Sequence, residues 1–405
     1  MPMESSDLKP KIIVLSSRGG GGHIAASEAI REILKSDYEV EVFNALSDIF
    51  GKVDLISRFF KAKFTAEDCY NFFLKKRLFF MCNFYAIAGK CYMALNKSIL
   101  KKGAKSFFIK HKPIMVVSVI PFFNRALFDA CQDLAIPFWI IPTDVELKAF
   151  LFGLKNKKNT FNQFKLGLAY EPQISQALNW GLCSSKIVKL GFPVKSACVK
   201  TYSSKEVNQL KKLLFISKKS KVITLTVGAT GTSLFYKLTK VLLKFELSNL
   251  EFNCCAGKDL KSFNKVKDLL DAIAVRENDL GDRIIYQLAS GSRLHLWQFT
   301  SSLPEIMVVS DLIISKTGSL SVSEALHLNK YLLLDHTINS SSRFMYWERA
   351  NVPFVKSINQ GEAFYSQKDL IQKLENYLNT PKECSKEVFL NIHQTLLSAV
   401  KEEVE

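Results

Sequence analysis

The period of the apolar pattern changes between residues 11 and 34. Ile12 to Leu15 form an unbroken apolar run, as in a strand covered on both faces. The run breaks at Ser16-Ser17-Arg18 and passes through Gly19, Gly20, Gly21, Gly22 and His23. Apolar residues then return at helical spacing, at Ile24, Ala25, Ala29, Ile30, Ile33 and Leu34. The pattern predicts strand, glycine turn, helix. Further strand-like runs lie at 39–43, 114–120, 138–142 and 186–190, with helical stretches between them. That alternation predicts a mostly parallel sheet covered by helices. It stops at Gly191-Phe192-Pro193-Val194, and the Ser/Lys-rich stretch 195–220 reads as a linker and the opening helix of a second unit. The scheme repeats at 222–228, 251–257, 283–287, 293–299, 311–315 and 331–335. The prediction is an α/β chain of two doubly wound domains, 1–195 and 196–375, followed by terminal helices over 376–405.

The stretch 51–112 interrupts this rhythm with no strand-like run. It holds fourteen Lys/Arg against three Asp/Glu and many aromatics, among them Phe59, Phe60, Phe64, Phe72, Phe73, Phe79, Phe80 and Phe84. Basic and aromatic residues interleaved on helices suit a membrane interface, with apolar side chains down and cations towards headgroups. A core of aromatics under a solvated lysine face is the alternative. The whole chain of 405 residues carries a net charge of +17, which favours anionic partners. No nucleic-acid motif is present and no nucleic-acid partner is expected. No apolar run is long enough to span a membrane, and the first residues do not read as a signal peptide. Nine scattered cysteines without a CxxC pair predict reduced thiols in a cytoplasmic protein, with no metal site.

Two turns carry candidate chemistry. Glycine lets backbone approach a ligand closely, and a helix N-terminus presents free N–H groups suited to phosphate. Gly20, Gly21 and Gly22 have this arrangement, with His23 at the seam. The turn is neither GxGxxG nor a Walker loop, and a plain strand–helix connection is the alternative. The second unit has a similar turn with Gly228, Thr230 and Gly231. Farther on, ISKTGSLSVSEAL places Lys316, Thr317, Gly318 and Ser319 between a strand and a helix, a second phosphate cradle. Glu324, within that helix, is either a ribose-binding acid or a capping or surface acid.

The order of these motifs resembles the GT-B glycosyltransferases of the lipid-glycosylating branch, the monogalactosyldiacylglycerol synthases and processive diacylglycerol glucosyltransferases (glycosyltransferase family 28-like). SSRGGGGHIAASEAI is similar to the family's glycine-loop-His motif. IMVVSVIPFFNRAL, WIIPTDVE and IVKLGFPVK follow its N-domain order. LTVGATG matches its C-domain turn, and ISKTGSLSVSEAL its phosphate and ribose motif. YNFFLKK with FFMCNFYAIAGK falls where those enzymes face lipid.

The resemblance implies two Rossmann-like domains facing a cleft. A UDP-sugar would serve as co-substrate with no other cofactor. Uracil would lie near Phe299 and Thr300, ribose on Glu324, and phosphates on Lys316 to Ser319 and the 228–231 turn. His23, or Asp144 acting with it, would take the acceptor's proton, with the imidazole near its ordinary pKa of ~6.5. The implied activity is metal-independent, inverting transfer of a hexose to a lipid acceptor, diacylglycerol first, at the cytoplasmic face of an anionic membrane. A polyprenyl-linked or peptidoglycan precursor, or a degenerate nucleotide-sugar binder, is the alternative. The sequence departs from the family where a Gln-containing sugar motif is usual. Residues 336–351 read HTINSSSRFMYWERAN, with Ser, or Phe344 and Met345, at the expected Gln positions. The galactolipid enzymes also carry a His a few residues after their Thr-Asp, whereas Thr143-Asp144 is followed here by Val-Glu-Leu-Lys-Ala-Phe, with His336 or Asn339 as substitutes.

Overall fold

The computed structural model describes residues 9–61, 63–245, 248–337, 345–382, 384 and 389–404. They form two compact units, one drawn from 9–70, 84–194 and 389–404, the other from 71–83 and 195–384.

The first unit is built on β1 (Lys11–Ser16), β2 (Glu39–Asn44), β3 (Met115–Ser118), β4 (Phe138–Ile140), β5 (Phe164–Leu168) and β6 (Ile187–Lys189). Their order is β2-β1-β3-β4-β5-β6 and every pairing is parallel. Ile12 and Val14 enter one apolar layer and Ile13 and Leu15 the other, which is why the run is unbroken. The helix Gly22–Leu34 lays Ile30, Ile33 and Leu34 on the first of these layers. Ile24, counted in the apolar stripe from spacing alone, is instead 42% exposed. The last helix, Ile392–Val404, buries Ile392, Leu396 and Val400 in the same layer.

The second unit is built on β7 (Lys221–Thr226), β8 (Leu250–Cys255), β9 (Val275–Asp279), β10 (Arg283–Gln287), β11 (Arg293–Trp297), β12 (Leu312–Ser315), β13 (Tyr331–Asp335) and β14 (Gly361–Phe364). The order is β14-β13-β12-β7-β8-β11-β10-β9. Here the second sheet departs from a simple repeat of the first, because β10 runs antiparallel to both β9 and β11. Short connections at 280–282 and 288–292 leave room for hairpins only. β5, β9 and β14 were not read from the sequence. β9 is exposed along its whole length, so no apolar alternation marks it.

The stretch 51–112 is helical where described, with helices Leu55–Phe59, Ala66–Lys75, Phe79–Leu95 and Lys97–His111. Phe59, Phe60, Phe72, Phe80 and Phe84 are exposed, whereas Leu74, Cys82, Leu100 and Phe108 are buried. Among the described residues no helix is long and apolar enough to cross a membrane.

In the parallel part of each sheet the strand order reverses once. The reversal falls between β1 and β3 in the first unit and between β7 and β12 in the second. Ligands of open α/β sheets bind at such points, beyond the carboxyl ends of the strands.

Candidate functional site

At the first reversal, β1 runs into the glycine turn. Gly20 (φ 76°) and Gly21 (φ 84°) take left-handed backbone that a residue with a Cβ enters only at a cost. Gly21 caps the helix without a side-chain hydrogen bond. His23 Nδ1 lies 2.9 Å from the Val119 carbonyl oxygen, just past β3, and 2.9 Å from Thr143 Oγ1, past β4. A carbonyl only accepts, so Nδ1 carries the proton and the Nε2 lone pair is the basic one. Burial pulls the imidazole down to about 4, against the Val119 hydrogen bond and the Glu67 charge, which raise it. This corrects the expectation of an ordinary pKa. The ring is neutral through the physiological range because desolvation penalises its cation.

Glu67 went unrecognised in the sequence. It is 7% exposed and accepts from Ser17 Oγ (2.6 Å), the Arg18 N–H (2.8 Å) and Asn44 Nδ2 (3.0 Å). It thus anchors the residues that lead into the glycine turn. Asp144 follows Thr143, and its carbonyl accepts from Gln173 Nε2 at 2.9 Å. The Thr143 hydroxyl, one residue before Asp144, is the side-chain oxygen beside the imidazole Nδ1.

At the second reversal, four loops leave the same sheet edge, after β7, β8, β11 and β12. Gly231 has φ 68°, and a Cβ there would stand 2.5 Å from Asp259 Cβ and 2.6 Å from the Ala256 oxygen, so the 228–231 turn requires glycine. The Lys316 ammonium comes within 3.6 Å of the Cβ position of Gly228 and 3.4 Å of that of Gly318. It bridges the two turns. Gly318 caps the helix Ser319–His327. Thr317 Oγ1 donates to Glu348 Oε2 at 3.0 Å, and Asn351 Nδ2 donates to the Thr317 oxygen and to Ser319 Oγ. The Thr230 and Ser315 hydroxyls are buried without a hydrogen-bond partner among the described residues. Glu324 is 5% exposed, and burial pushes its carboxyl up to about 7, eased by the Lys195 charge. It is neither a surface acid nor a cap. Phe299 is half-exposed, with Lys258 Nζ 5.0 Å from its ring centre, and Thr300 Oγ1 accepts from the Ser302 N–H.

Glu348 and Asn351 were also missed. They lie more than thirty positions beyond the turn they hold, so spacing gave no signal. The readings at Asn339, Ser340 to Ser342 and Phe344 lie outside the described residues. Met345 is buried. Among the described residues no group of three His, Cys, Asp or Glu stands together as metal ligands do.

No family profile matches the chain. Monogalactosyldiacylglycerol synthase 3 of Arabidopsis thaliana is 22% identical over 390 residues, covering 92% of this chain and 75% of its own. The processive diacylglycerol β-glucosyltransferase of Bacillus cereus is 20% identical, covering 94% and 90%. The fold matches MurG of Acinetobacter baumannii with a TM-score of 0.59 at 12% identity, over 97% of this chain and 99% of that one. It also matches the UDP-GlcNAc 2-epimerase of Neisseria meningitidis with a TM-score of 0.55 at 12% identity, over 97% and 100%. The chain has the GT-B fold. The glycine turns sit at the reversal points of its two sheets, and the curated relatives are of the family type that the glycine-loop and ISKTGSLSVSEAL motifs resemble.

Proposed function

We propose that this glycosyltransferase moves a hexose from a UDP-sugar to the hydroxyl of diacylglycerol at an anionic membrane surface, with inversion and without a metal. The observation that carries the reading is the full-length similarity to enzymes named for glycosylating diacylglycerol. The second unit suits the donor. Ribose hydroxyls would donate to Glu324, and the diphosphate would take Lys316, the Thr317–Ser319 turn and the 228–231 turn. Phe299 and Thr300 would lie beside the uracil. Glu348 Oε1 stands 3.8 Å from the Cβ position of Gly318, within reach of a sugar hydroxyl beside the phosphates, and supplies an acceptor where the Gln motif is absent.

The first unit suits the acceptor. The hydroxyl oxygen attacks the anomeric carbon, the bond from that carbon to the β-phosphate oxygen breaks, and the proton goes to His23 Nε2. Glu67 and the Val119 carbonyl favour the imidazolium as it forms. UDP leaves with its new charge met by oriented N–H groups and the Lys316 ammonium, which need no reorganisation at that moment. The exposed Phe59, Phe60, Phe72, Phe80 and Phe84, with the local excess of cations, suit insertion at lipid headgroups.

The test is sugar transfer to diacylglycerol in anionic vesicles from UDP-glucose and UDP-galactose, with the lipids separated afterwards. A new glycolipid is expected, with less product in neutral vesicles or high salt. No product from either donor, with UDP still bound, would overturn the acceptor assignment and send the search to polyprenyl-linked acceptors.

A further inference from the structure

Residues 71–83 come from the basic, aromatic stretch, yet they belong to the second unit. Two of their cations are committed there. Lys75 Nζ lies 3.0 Å from Asp259 Oδ1, in the loop after β8. Arg77 Nη2 lies 2.6 Å from Asp335 Oδ2, at the end of β13, and 3.3 Å from Thr337 Oγ1. In the sheet β8 and β13 are separated by β7 and β12, a span of about 14 Å at three strand spacings. The two cations therefore flank the reversal point where the Gly228–Gly231 and Thr317–Ser319 turns emerge.

The backbone at Arg77 is a second, independent sign. Its φ is 57°. Its N–H donates to the Leu74 oxygen, and the Leu78 N–H donates to the Phe73 oxygen. That is the left-handed closure of a helix end, where glycine is usual and any other residue costs roughly 1 kcal/mol. Helix closure alone favours glycine. An arginine stands there, and its side chain is only 14% exposed against Asp335.

Both acids keep other partners if the cations leave. Asp335 Oδ1 accepts from the Thr337 hydroxyl at 2.7 Å and the Thr337 N–H at 3.2 Å. Asp259 Oδ2 accepts from Ser262 Oγ at 2.6 Å. In each acid one oxygen holds the cation and the other accepts from a hydroxyl, so a carboxylate whose cation moves to a competing anion stays anchored through its second oxygen.

We propose that Lys75 and Arg77 are diphosphate ligands of the donor site, paired with Asp259 and Asp335 when the site is empty and turned onto the diphosphate when a nucleotide sugar binds. The proposal rests on the nucleotide-sugar reading given above. It gives part of the 51–112 cationic excess a role in donor binding. As the glycosidic bond breaks, the diphosphate gains charge, so both cations hold the leaving group more strongly than the intact donor.

The experiment titrates UDP and uridine separately into the full chain and into Lys75→Gln, Arg77→Gly and Arg77→Lys, read by ligand NMR, with unfolding midpoints alongside. Arg77→Gly removes the guanidinium and relaxes the backbone, so its midpoint is expected to hold or rise. UDP affinity is expected to fall tenfold or more in Arg77→Gly and Lys75→Gln, with uridine changed less than twofold. Arg77→Lys is expected to retain most of the UDP affinity. Equal losses for UDP and uridine, or no loss of UDP affinity in folded variants, would overturn the proposal. Wild-type protein that binds uridine and UDP equally would overturn it too, whereas binding of neither would bring down the nucleotide-sugar reading itself.

Discussion

Two buried titratable side chains shift in ways that matter for function. His23 is held neutral, its pKa pulled down to about 4 by desolvation. Between that value and the ordinary ~6.5 the unfolded chain binds the proton that the folded one refuses. Stability from this group is therefore fully present above pH ~6.5 and is lost as pH falls towards 4. With His23 as the proposed base, the same shift would set the kinetics. At saturating UDP-sugar, the acid limb of kcat that belongs to His23 is expected below pH 5, and His23→Ala is expected to abolish transfer while UDP binding stays within twofold. A pH–rate profile and a UDP titration check both statements. Glu324 has the opposite sign. Its carboxyl, raised to about 7 by burial, favours the folded state when protonated, so its contribution is full below the ordinary carboxyl range and is lost as pH rises through 7. In the proposed donor site, ribose hydroxyls would donate to the ionised form. UDP-glucose, whose diphosphate does not titrate near neutrality, is therefore expected to bind more tightly at pH 8 than at pH 6 and to release a proton. Calorimetry in buffers of different ionisation enthalpy reads that proton, and Glu324→Gln is expected to remove it.

At the scale of elements, the legible parts are those whose burial is local. β1, β3 and β12 lie inside their sheets, and their sequences are apolar without interruption. The turns after β1, β7 and β12 could be read because positive φ, or close approach to Lys316, calls for glycine there. β9 and β14 were not legible. β9 is all polar apart from Val275 and is a strand only because β10 pairs with it. β14 opens on Gly361, where a Cβ would stand 2.4 Å from the Leu332 oxygen. That glycine reads as a loop until β13 lies beside it. The stretch 51–112 divides in the same way. Its basic and aromatic composition was plain, but composition could not tell exposed Phe80 from buried Phe108, nor Lys75 and Arg77, paired with acids, from their neighbour Lys76.

At the scale of the whole molecule, the chain returns at its end to the unit in which it began. The helix Ile392–Val404 completes the apolar layer of Ile12, Val14, Ile30 and Leu34. A Cβ on Gly191 would stand 2.0 Å from the Leu390 oxygen, so the returning segment runs tight against the end of the first unit's sheet pattern. Removing residues from 389 onward is expected to unfold or markedly destabilise the first unit, because Ile392, Leu396 and Val400 leave about 2 kcal/mol each of burial behind. The second unit, whose core is made within its own residues, is expected to keep its melting transition. Calorimetric scans of full-length and shortened chains compare the two transitions.

The sequence by itself determined the alternation of strands and helices, the division near residue 195, and the turns that hold His23 and Lys316 to Ser319. Each of these depends on period, glycine or local order, which are properties of neighbouring residues. Tertiary structure decided the partners: Thr143 and Val119 on His23, Glu67 under the first turn, Glu348 and Asn351 on the second, and Arg77 on Asp335. These pairs join positions from 31 to 258 residues apart. No local pattern encodes such contacts, because they form only when strand order brings separate loops to one edge of a sheet.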